Sequence, residues 1–451
     1  MRRKPLLSLF LCLQFACTDH DPSTSATDTL GTAPDDTGDP SGDPTTPDPP
    51  TTGGPDSGDP AAPRSVDLLF VIDNSGSMAE EQPRLVAAFP TLLALLEDPN
   101  DPIDYRIGFT TTDAGNPRCP NTSPENGNLV LSSCLDRVQD GQFMSFDTDY
   151  SDACTAACAR TDGDLPVAPT ATDVDDTKQP RKWIERIGGV SNLGDVPIAE
   201  AFACYAPQGV AGCGFESHLE STYKALAASK SPNSKNNFGF LREDAHLAII
   251  ILSDETDCSS NPDFTEIFTT NKAFWFDPAI DVAPSSSMCW KAGVACDGAA
   301  PIYSACNAEN FDIDASPGAA DEAAVLWPVR KYVDFVTTLE QQKQQQNPGA
   351  QVFVTLITGV PIGYESHDSE IDWQDSPDLA PGGFQSLFGI GPGCIVGPAD
   401  APTATAVPPV REREFAEAFN DDPDSGRNLY SVCGDDYSAA LADLGQRIRG
   451  L

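Results

Sequence analysis

Three continuous apolar segments constrain most strongly how this chain folds. They are VDLLFVID (66–73), HLAIIILSD (246–254) and QVFVTLIT (351–358). A continuous apolar run is typical of a strand that is covered on both faces, and here such runs alternate with segments whose apolar residues have helical spacing. The sequence therefore predicts an α/β fold with a mainly parallel central sheet flanked by helices.

The remaining elements follow from periodicity. Apolar residues at helical spacing predict helices over about 78–97, 215–229, 325–339 and 437–448, the third continuing into the glutamine-rich EQQKQQQ. Further strands are expected at 105–113 and 428–433, with NLVLSS (128–133) pairing beside the first of these as a short edge.

Long cysteine-bearing insertions separate these elements. They cover about 114–180, 255–320 and 360–425, and we expect them to decorate one domain spanning 64–451. Disulfides would staple them, and all six pairs are expected among twelve cysteines, with Cys204–Cys213 as the favoured local pair. Those cysteines are Cys119, Cys134, Cys154, Cys158, Cys204, Cys213, Cys258, Cys289, Cys296, Cys306, Cys394 and Cys433.

The N-terminal region has the features of an export signal. A basic start and an apolar stretch predict a signal peptide over 1–16. The following Cys17 resembles the acylated cysteine of bacterial lipoproteins, and ordinary cleavage and release is the alternative. Residues 17–63, rich in Asp, Pro and Thr, predict a disordered tether. We expect an outer-membrane or cell-surface lipoprotein, or otherwise a periplasmic or secreted protein.

Charge and missing motifs exclude several functions. The chain carries 27 Lys and Arg against 68 Asp and Glu, a net charge of −41, which opposes nucleic-acid binding. No His-Glu-x-x-His, Gly-x-Ser-x-Gly or phosphate-loop pattern is present. We therefore expect no enzymatic activity and no catalytic residues.

The segment DNSGS, at the end of the first predicted strand, carries three oxygen-bearing side chains. Asp73, Ser75 and Ser77 suit a hard cation such as Mg²⁺, with Mn²⁺ or Ca²⁺ as other possibilities. Gly76 would let the backbone turn tightly enough to aim both serines at one point. The simpler interpretation is a helix capping box between Ser77 and Glu80.

FVIDNSGSM resembles the Asp-x-Ser-Gly-Ser start of von Willebrand factor A domains, where it forms the metal-ion-dependent adhesion site. The resemblance implies that fold over nearly all of 65–451. It also implies two further ligands: Asp254, and a hydroxyl from Ser217 at a position where the family has Thr. Glu216 is the alternative to Ser217, while Glu255 and Asp257 are expected to be solvated loop charges.

The chain is also similar to exported bacterial members of that family, including myxobacterial gliding-motility lipoproteins, through SDETDCS, GCGFE and SVCGDDYSAAL. The resemblance implies a tethered adhesion or protein-binding module. Its partner would be a protein or matrix ligand that offers an acidic side chain to the metal, and the membrane would be contacted only through the lipid anchor. The alternative is an envelope scaffold that has the fold but does not use the metal.

Overall fold

A seven-stranded, mostly parallel sheet forms the centre of the computed structural model, which describes residues 65–161, 163, 165–398 and 402–450. The predicted signal peptide, Cys17 and the tether lie outside the described residues. All described residues belong to one compact unit of the chain. None of the described helices is long and apolar enough to cross a membrane.

The strands fall into the central sheet and several short hairpins. In chain order they are β1 Ser65–Ile72, β2 Asp104–Thr111, β3 Met144–Ser145, β4 Thr148–Asp149, β5 Thr170–Thr172, β6 Asp175–Gln179, β7 Trp183–Ile187, β8 Val190–Ser191, β9 His246–Leu252, β10 Val294–Ala299, β11 Ile302–Ala308, β12 Val352–Thr358, β13 Cys394–Val396, β14 Ala404–Ala406 and β15 Leu429–Ser431.

The helices connect these strands and cover the sheet. In chain order they are α1 Glu81–Leu96, α2 Cys134–Gln139, α3 Asp152–Thr155, α4 Ile198–Tyr205, α5 His218–Ser229, α6 Ser287–Gly293, α7 Val329–Gln346, α8 Phe384–Phe388, α9 Val410–Glu417 and α10 Ser438–Arg449, with 3₁₀ turns at Pro262–Phe268 and Asp321–Ala323.

The order of strands in the sheet is β15-β12-β9-β1-β2-β7-β8. All pairs from β15 through to β2 are parallel. β7 pairs antiparallel with β2, and β8 pairs antiparallel with β7. Counted along the chain, this is the 3-2-1-4-5-6 order of doubly wound folds, with β8 added at the edge. The direction of strand addition reverses at β1, so the carboxyl ends of β1 and β9 lie at the switch point where such sheets bind ligands.

Burial on both faces explains the continuous apolar segments. On β1, Leu68 and Phe70 point into a core shared with α1, α4 and α10. Leu69 and Val71 point into the opposite core, shared with α5, α7 and α9. The predicted mainly parallel sheet flanked by helices is therefore confirmed.

The edge of the sheet beside β2 differs from the prediction. The expected strand NLVLSS (128–133) is not formed, and β7 pairs with β2 instead. Val130 N does donate to Phe109 O at 2.9 Å, but Leu129 N donates to the side chain of Asn237. β7 already pairs with Tyr105–Gly108 of β2, so the 128–133 segment meets that strand only beyond Gly108.

Six disulfides staple the loops between the central elements, and all twelve expected cysteines take part. The pairs are Cys119–Cys213, Cys134–Cys154, Cys158–Cys204, Cys258–Cys289, Cys296–Cys306 and Cys394–Cys433.

The predicted Cys204–Cys213 pair is wrong. Cys204 lies in α4 and packs in a small core with Cys158, whereas Cys213 follows in a separate loop and reaches Cys119. The disulfides are consistent with an exported protein.

Candidate metal centre

The DNSGS loop begins where β1 ends. Asp73 N donates to Leu252 O at 3.0 Å, which extends the parallel pairing by one bond and places Asp73 beside the end of β9. Asp73 is fully buried. Its Oδ1 accepts from Ser75 N at 2.8 Å, and its Oδ2 accepts from Ser253 Oγ at 2.6 Å. The carboxylate thus shapes its own loop and ties it to the neighbouring strand end.

Both serine hydroxyls and Asp254 come together at this edge. Ser75 Oγ lies 3.2 Å from Ser77 Oγ, and Ser77 Oγ donates to Asp254 Oδ1 at 3.0 Å. The last contact joins residues 177 positions apart in the chain. Four residues predicted for the metal site therefore lie together at the carboxyl ends of β1 and β9: Asp73, Ser75, Ser77 and Asp254.

The capping-box interpretation of Ser77 is not supported by the structure. Helix α1 begins at Glu81, and its N-cap residue Glu80 makes no side-chain capping bond. The Ser77 hydroxyl donates to Asp254 instead. Ser77 is also exposed, so its oxygen is accessible from solvent.

Gln82 holds the motif from behind. Its buried amide group donates to Asp73 O at 2.9 Å and to Gly209 O at 2.8 Å, while its Oε1 accepts from Gln208 N at 2.8 Å. These backbone groups have their hydrogen bonds satisfied by one side chain. Gln82 therefore joins the motif to the 208–209 loop without occupying the site.

Gly76 is required for close approach rather than for an unusual backbone angle. Its φ lies outside the left-handed region, and Met78 N donates to Ser75 O at 3.3 Å, so Gly76 lies within a tight turn that any residue could adopt. A β-carbon at this position would lie 2.6 Å from Ser145 Oγ, on the strand β3 that packs against the motif. Glycine is needed here because another loop lies directly on it.

Three carboxyl groups surround the motif, and the pKa of each is raised. Burial raises the pKa of Glu216 well above its ordinary value, and the charges of Glu255 and Asp73 raise it further. Burial likewise raises the pKa of Asp254, with added repulsion from Asp73 and Glu255. Burial and Asp73 raise the pKa of Glu255 to about 7. No described Lys or Arg is among the groups that shift these three pKa values.

The donor set fits a hard cation. Both oxygens of Glu216 and Oε2 of Glu255 are buried without a hydrogen-bond partner among the described residues. Glu216 and Glu255 can share a hydrogen bond when one of them is protonated, and a divalent ion would instead neutralise the cluster in its ionised form. Within the described part of the chain, no three His, Cys, Asp or Glu side chains are grouped so as to hold one ion. An ion here would therefore need the serine hydroxyls and water to complete its shell.

The two residues predicted for the remaining ligand position are placed differently. Ser217 Oγ donates to Cys258 O at 3.3 Å, and Ser217 N donates to Thr112 O at 2.9 Å. These bonds bind Ser217 to the 258 loop and the end of β2. Glu216 instead lies close enough to Asp73 for the charge of Asp73 to raise its pKa.

Asp257 is not the solvated loop charge expected from the sequence. It is fully buried and accepts a hydrogen bond from Arg411 Nε at 3.0 Å. It also accepts a hydrogen bond from Leu219 N, at the start of α5. This pairing positions the helix that follows Glu216. Glu255, also expected to be solvated, is half-buried against the carboxyl cluster.

A buried polar chain extends inward from Asp73. His218 Nε2 lies 2.7 Å from Ser253 Oγ, which donates to Asp73. The other ring nitrogen, Nδ1, lies 3.3 Å from Glu412 Oε1. Burial lowers the pKa of His218 and raises that of Glu412 to about 8, so both are neutral at pH 7. His218 is therefore a packing residue that orients Ser253 and, through it, Asp73.

Sequence reasoning missed Gln82, Glu255 and Thr112 as parts of this centre. Thr112 N donates to Ile72 O at 3.2 Å, and its buried hydroxyl has no partner among the described residues. The run TTTD at the end of β2 was the available signal, because the carboxyl ends of adjacent parallel strands meet at one edge. Gln82 gave no signal, since a single glutamine in a helix carries no pattern.

A polar pocket of about 460 Å³ adjoins the motif. It is lined by Asn74, Gln142 and Gln208 among others, and Asn74 belongs to the DNSGS loop. No protein-family model matches this chain, and no curated protein matches it.

Proposed function

We propose that this chain is a von Willebrand factor A-like, metal-dependent binding module, exported and held at the cell envelope by Cys17. The hydrogen bond between Ser77 and Asp254 carries the proposal, because it joins the DNSGS loop to the end of a second strand at the switch point of the sheet. The sheet order and the cluster of carboxyl groups with raised pKa support the same interpretation.

Asp73, Ser75, Ser77, Asp254 and Glu216 would hold the ion, which we propose to be Mg²⁺. Glu216 is favoured over Ser217 because its oxygens lack partners, whereas the Ser217 hydroxyl is already bonded to Cys258 O. When bound, the ion supplies an electrophilic position for the carboxylate of a protein or matrix ligand. The chain's own residues orient that position and hold it at the exposed edge of the sheet, so no enzymatic step is proposed.

The carboxylates also set how strongly a ligand is held. Each anionic ligand from the chain reduces the charge that the ion presents to a partner. With Asp73, Asp254 and Glu216 ionised, the ion is bound more tightly and attracts an acidic partner less. Replacing Glu216 with Gln should therefore weaken ion binding by about 10-fold or more, since even the groups that only support metal ligands contribute 10- to 100-fold.

Affinity capture from the native cells, with and without chelator, tests this function. The wild-type domain should retain a partner in Mg²⁺ and release it in chelator. Ser77→Ala removes an exposed hydroxyl without emptying the core, and should lose the partner, as should Asp73→Ala. Asp244→Ala, an exposed acidic residue near the opposite edge, is the matched control. A partner retained equally by Ser77→Ala, Asp73→Ala and the chelated protein would contradict metal-bridged binding and favour an envelope scaffold.

A further inference from the structure

Phe146 occupies an unfavourable position that folding does not explain. It is the first of two turn residues between β3 and β4, it has a φ of 51°, and its side chain is fully exposed. Two-residue hairpin turns usually place Gly or Asn where φ is positive, because a β-carbon is strained there. The positive φ and the exposure of the apolar ring to water both destabilise the folded state. We therefore look for a role of the ring outside the chain.

The backbone that carries this ring is anchored to the rest of the domain. Phe143 is buried at the base of the hairpin, and the Cys134–Cys154 disulfide closes the segment that contains it. Gln142 O accepts from Val210 N at 2.7 Å, which ties the base to the loop behind the motif. An anchored hairpin backbone loses little conformational freedom on binding, which favours the use of its aromatic side chain as an anchor.

The hairpin lies directly against the proposed metal loop. Ser145, the residue before Phe146, packs its hydroxyl where a β-carbon of Gly76 would be. A partner whose carboxylate reached the metal would therefore meet the Phe146 ring beside it.

The charges around the ring indicate what it contacts. Asp147 and Asp149 follow Phe146 in the turn and in β4, and both are exposed. Insertion into a bilayer would bring these carboxylates to the headgroups, where anionic lipids repel them. A protein surface with an apolar pocket rimmed by Lys or Arg complements both the ring and its acidic neighbours.

We propose that Phe146 is the aromatic anchor for a protein partner, inserted into a basic-rimmed apolar pocket on the same partner whose carboxylate binds the metal. This proposal rests on the proposed function. Aromatic anchors of this kind account for at least about a 30-fold change in affinity when truncated. The partner is thereby specified by an acidic side chain next to an apolar pocket with basic residues at its rim.

A phage-displayed library of random peptides, panned in Mg²⁺, provides a probe that requires no known partner. Wild type should select peptides that combine an acidic residue with apolar residues flanked by Lys or Arg. Phe146→Gly should select peptides with the acidic residue alone. Peptides selected by wild type should bind Phe146→Gly at least about 30-fold more weakly, with Mg²⁺ affinity unchanged. Val190→Ser, an exposed apolar change at the opposite sheet edge, should match wild type.

Several results would overturn the proposal. Equal peptide affinities for wild type and Phe146→Gly would remove the anchor while leaving metal-dependent binding intact. A fall in melting temperature in Phe146→Gly would show that the ring serves folding, because the glycine should instead relieve strain. Binding of wild type, but not Phe146→Gly, to phosphatidylglycerol vesicles would show that the occupant is a lipid surface. If Asp73→Ala selects the same peptides as wild type, the proposed function fails and this proposal fails with it.

Discussion

Raising the pH should destabilise the metal-free protein through Glu255. In the folded, metal-free state its pKa is about 7, compared with an ordinary value of 4.5, because burial and Asp73 oppose its ionisation. Between these values the folded state keeps a proton that the unfolded state has released. Stability is therefore lost as the pH rises through this window. The difference between the two pKa values corresponds to a loss of about 3 kcal/mol in unfolding free energy.

Glu255→Gln isolates this contribution from the rest of the acidic chain. Glutamine keeps the shape of the side chain but cannot ionise, so the variant should lack this part of the pH dependence. Urea unfolding followed by tryptophan fluorescence, in chelator with the disulfides intact, measures the difference at pH 4.5 and 7.5. We expect wild type to lose about 3 kcal/mol more than the variant over that range. Glu243→Gln, an exposed glutamate, should follow wild type.

Parallel curves for wild type and Glu255→Gln would refute the reasoning. They would mean that Glu255 ionises as easily in the folded protein as in the unfolded chain. Saturating Mg²⁺ provides the complementary test, because a bound cation stabilises the ionised carboxylates and should reduce the pH dependence of wild type.

Three other perturbations test how the site is supported. Gln82→Leu removes the side-chain partner of four buried backbone groups, so the unfolding free energy should fall by about 3–5 kcal/mol and the calorimetric Mg²⁺ affinity should drop. Unchanged values would contradict the role of Gln82. Gly76→Ala should lower the unfolding free energy by about 1–3 kcal/mol, because the added methyl group would collide with Ser145 Oγ. Ser145→Ala should restore the lost stability. Additive effects in that double-mutant cycle would show that the two residues are not in contact. Phe202→Ala should lower the unfolding free energy measured in urea by about 3–5 kcal/mol, since the ring centroids of Phe202 and Phe89 are stacked 3.6 Å apart. A decrease below about 1 kcal/mol would exclude that packing.

The central strands were predictable because their physical signal is local. β1, β9 and β12 are buried on both faces, so most residues of each strand are apolar without alternation, and the helices beside them keep helical spacing. The DNSGS loop and Asp254 were predictable for a related reason. Parallel strands end at the same edge, so polar residues that follow two such strands converge there.

Other parts depended on contacts that the sequence does not encode locally. β7 was missed because two charged residues interrupt its apolar pattern: Glu185, which is buried against Arg106, and Arg186, which is half-buried. α4 was missed between the first predicted insertion and the predicted helix over 215–229, although Phe202 packs at the centre of one core. The Cys204–Cys213 pairing failed because closeness in sequence does not determine pairing when a helix end and a loop lead the two cysteines apart.

The roles of Glu216 and Ser217 were left open by the sequence for a physical reason. Both are adjacent at the start of α5, and only the tertiary contact of Ser217 with Cys258 O separates them. The raised pKa of Glu255 and the ion pair of Asp257 depend in the same way on Asp73 and Arg411, which are far from them in the chain.

Isothermal titration of Mn²⁺ into chelator-treated protein tests the central claim most directly. We predict one ion per chain for wild type, weaker binding for Glu216→Gln and Ser77→Ala, and none for Asp73→Ala that remains folded by circular dichroism. Binding of equal affinity in all four proteins, or no binding to wild type, would contradict a metal centre at the DNSGS loop.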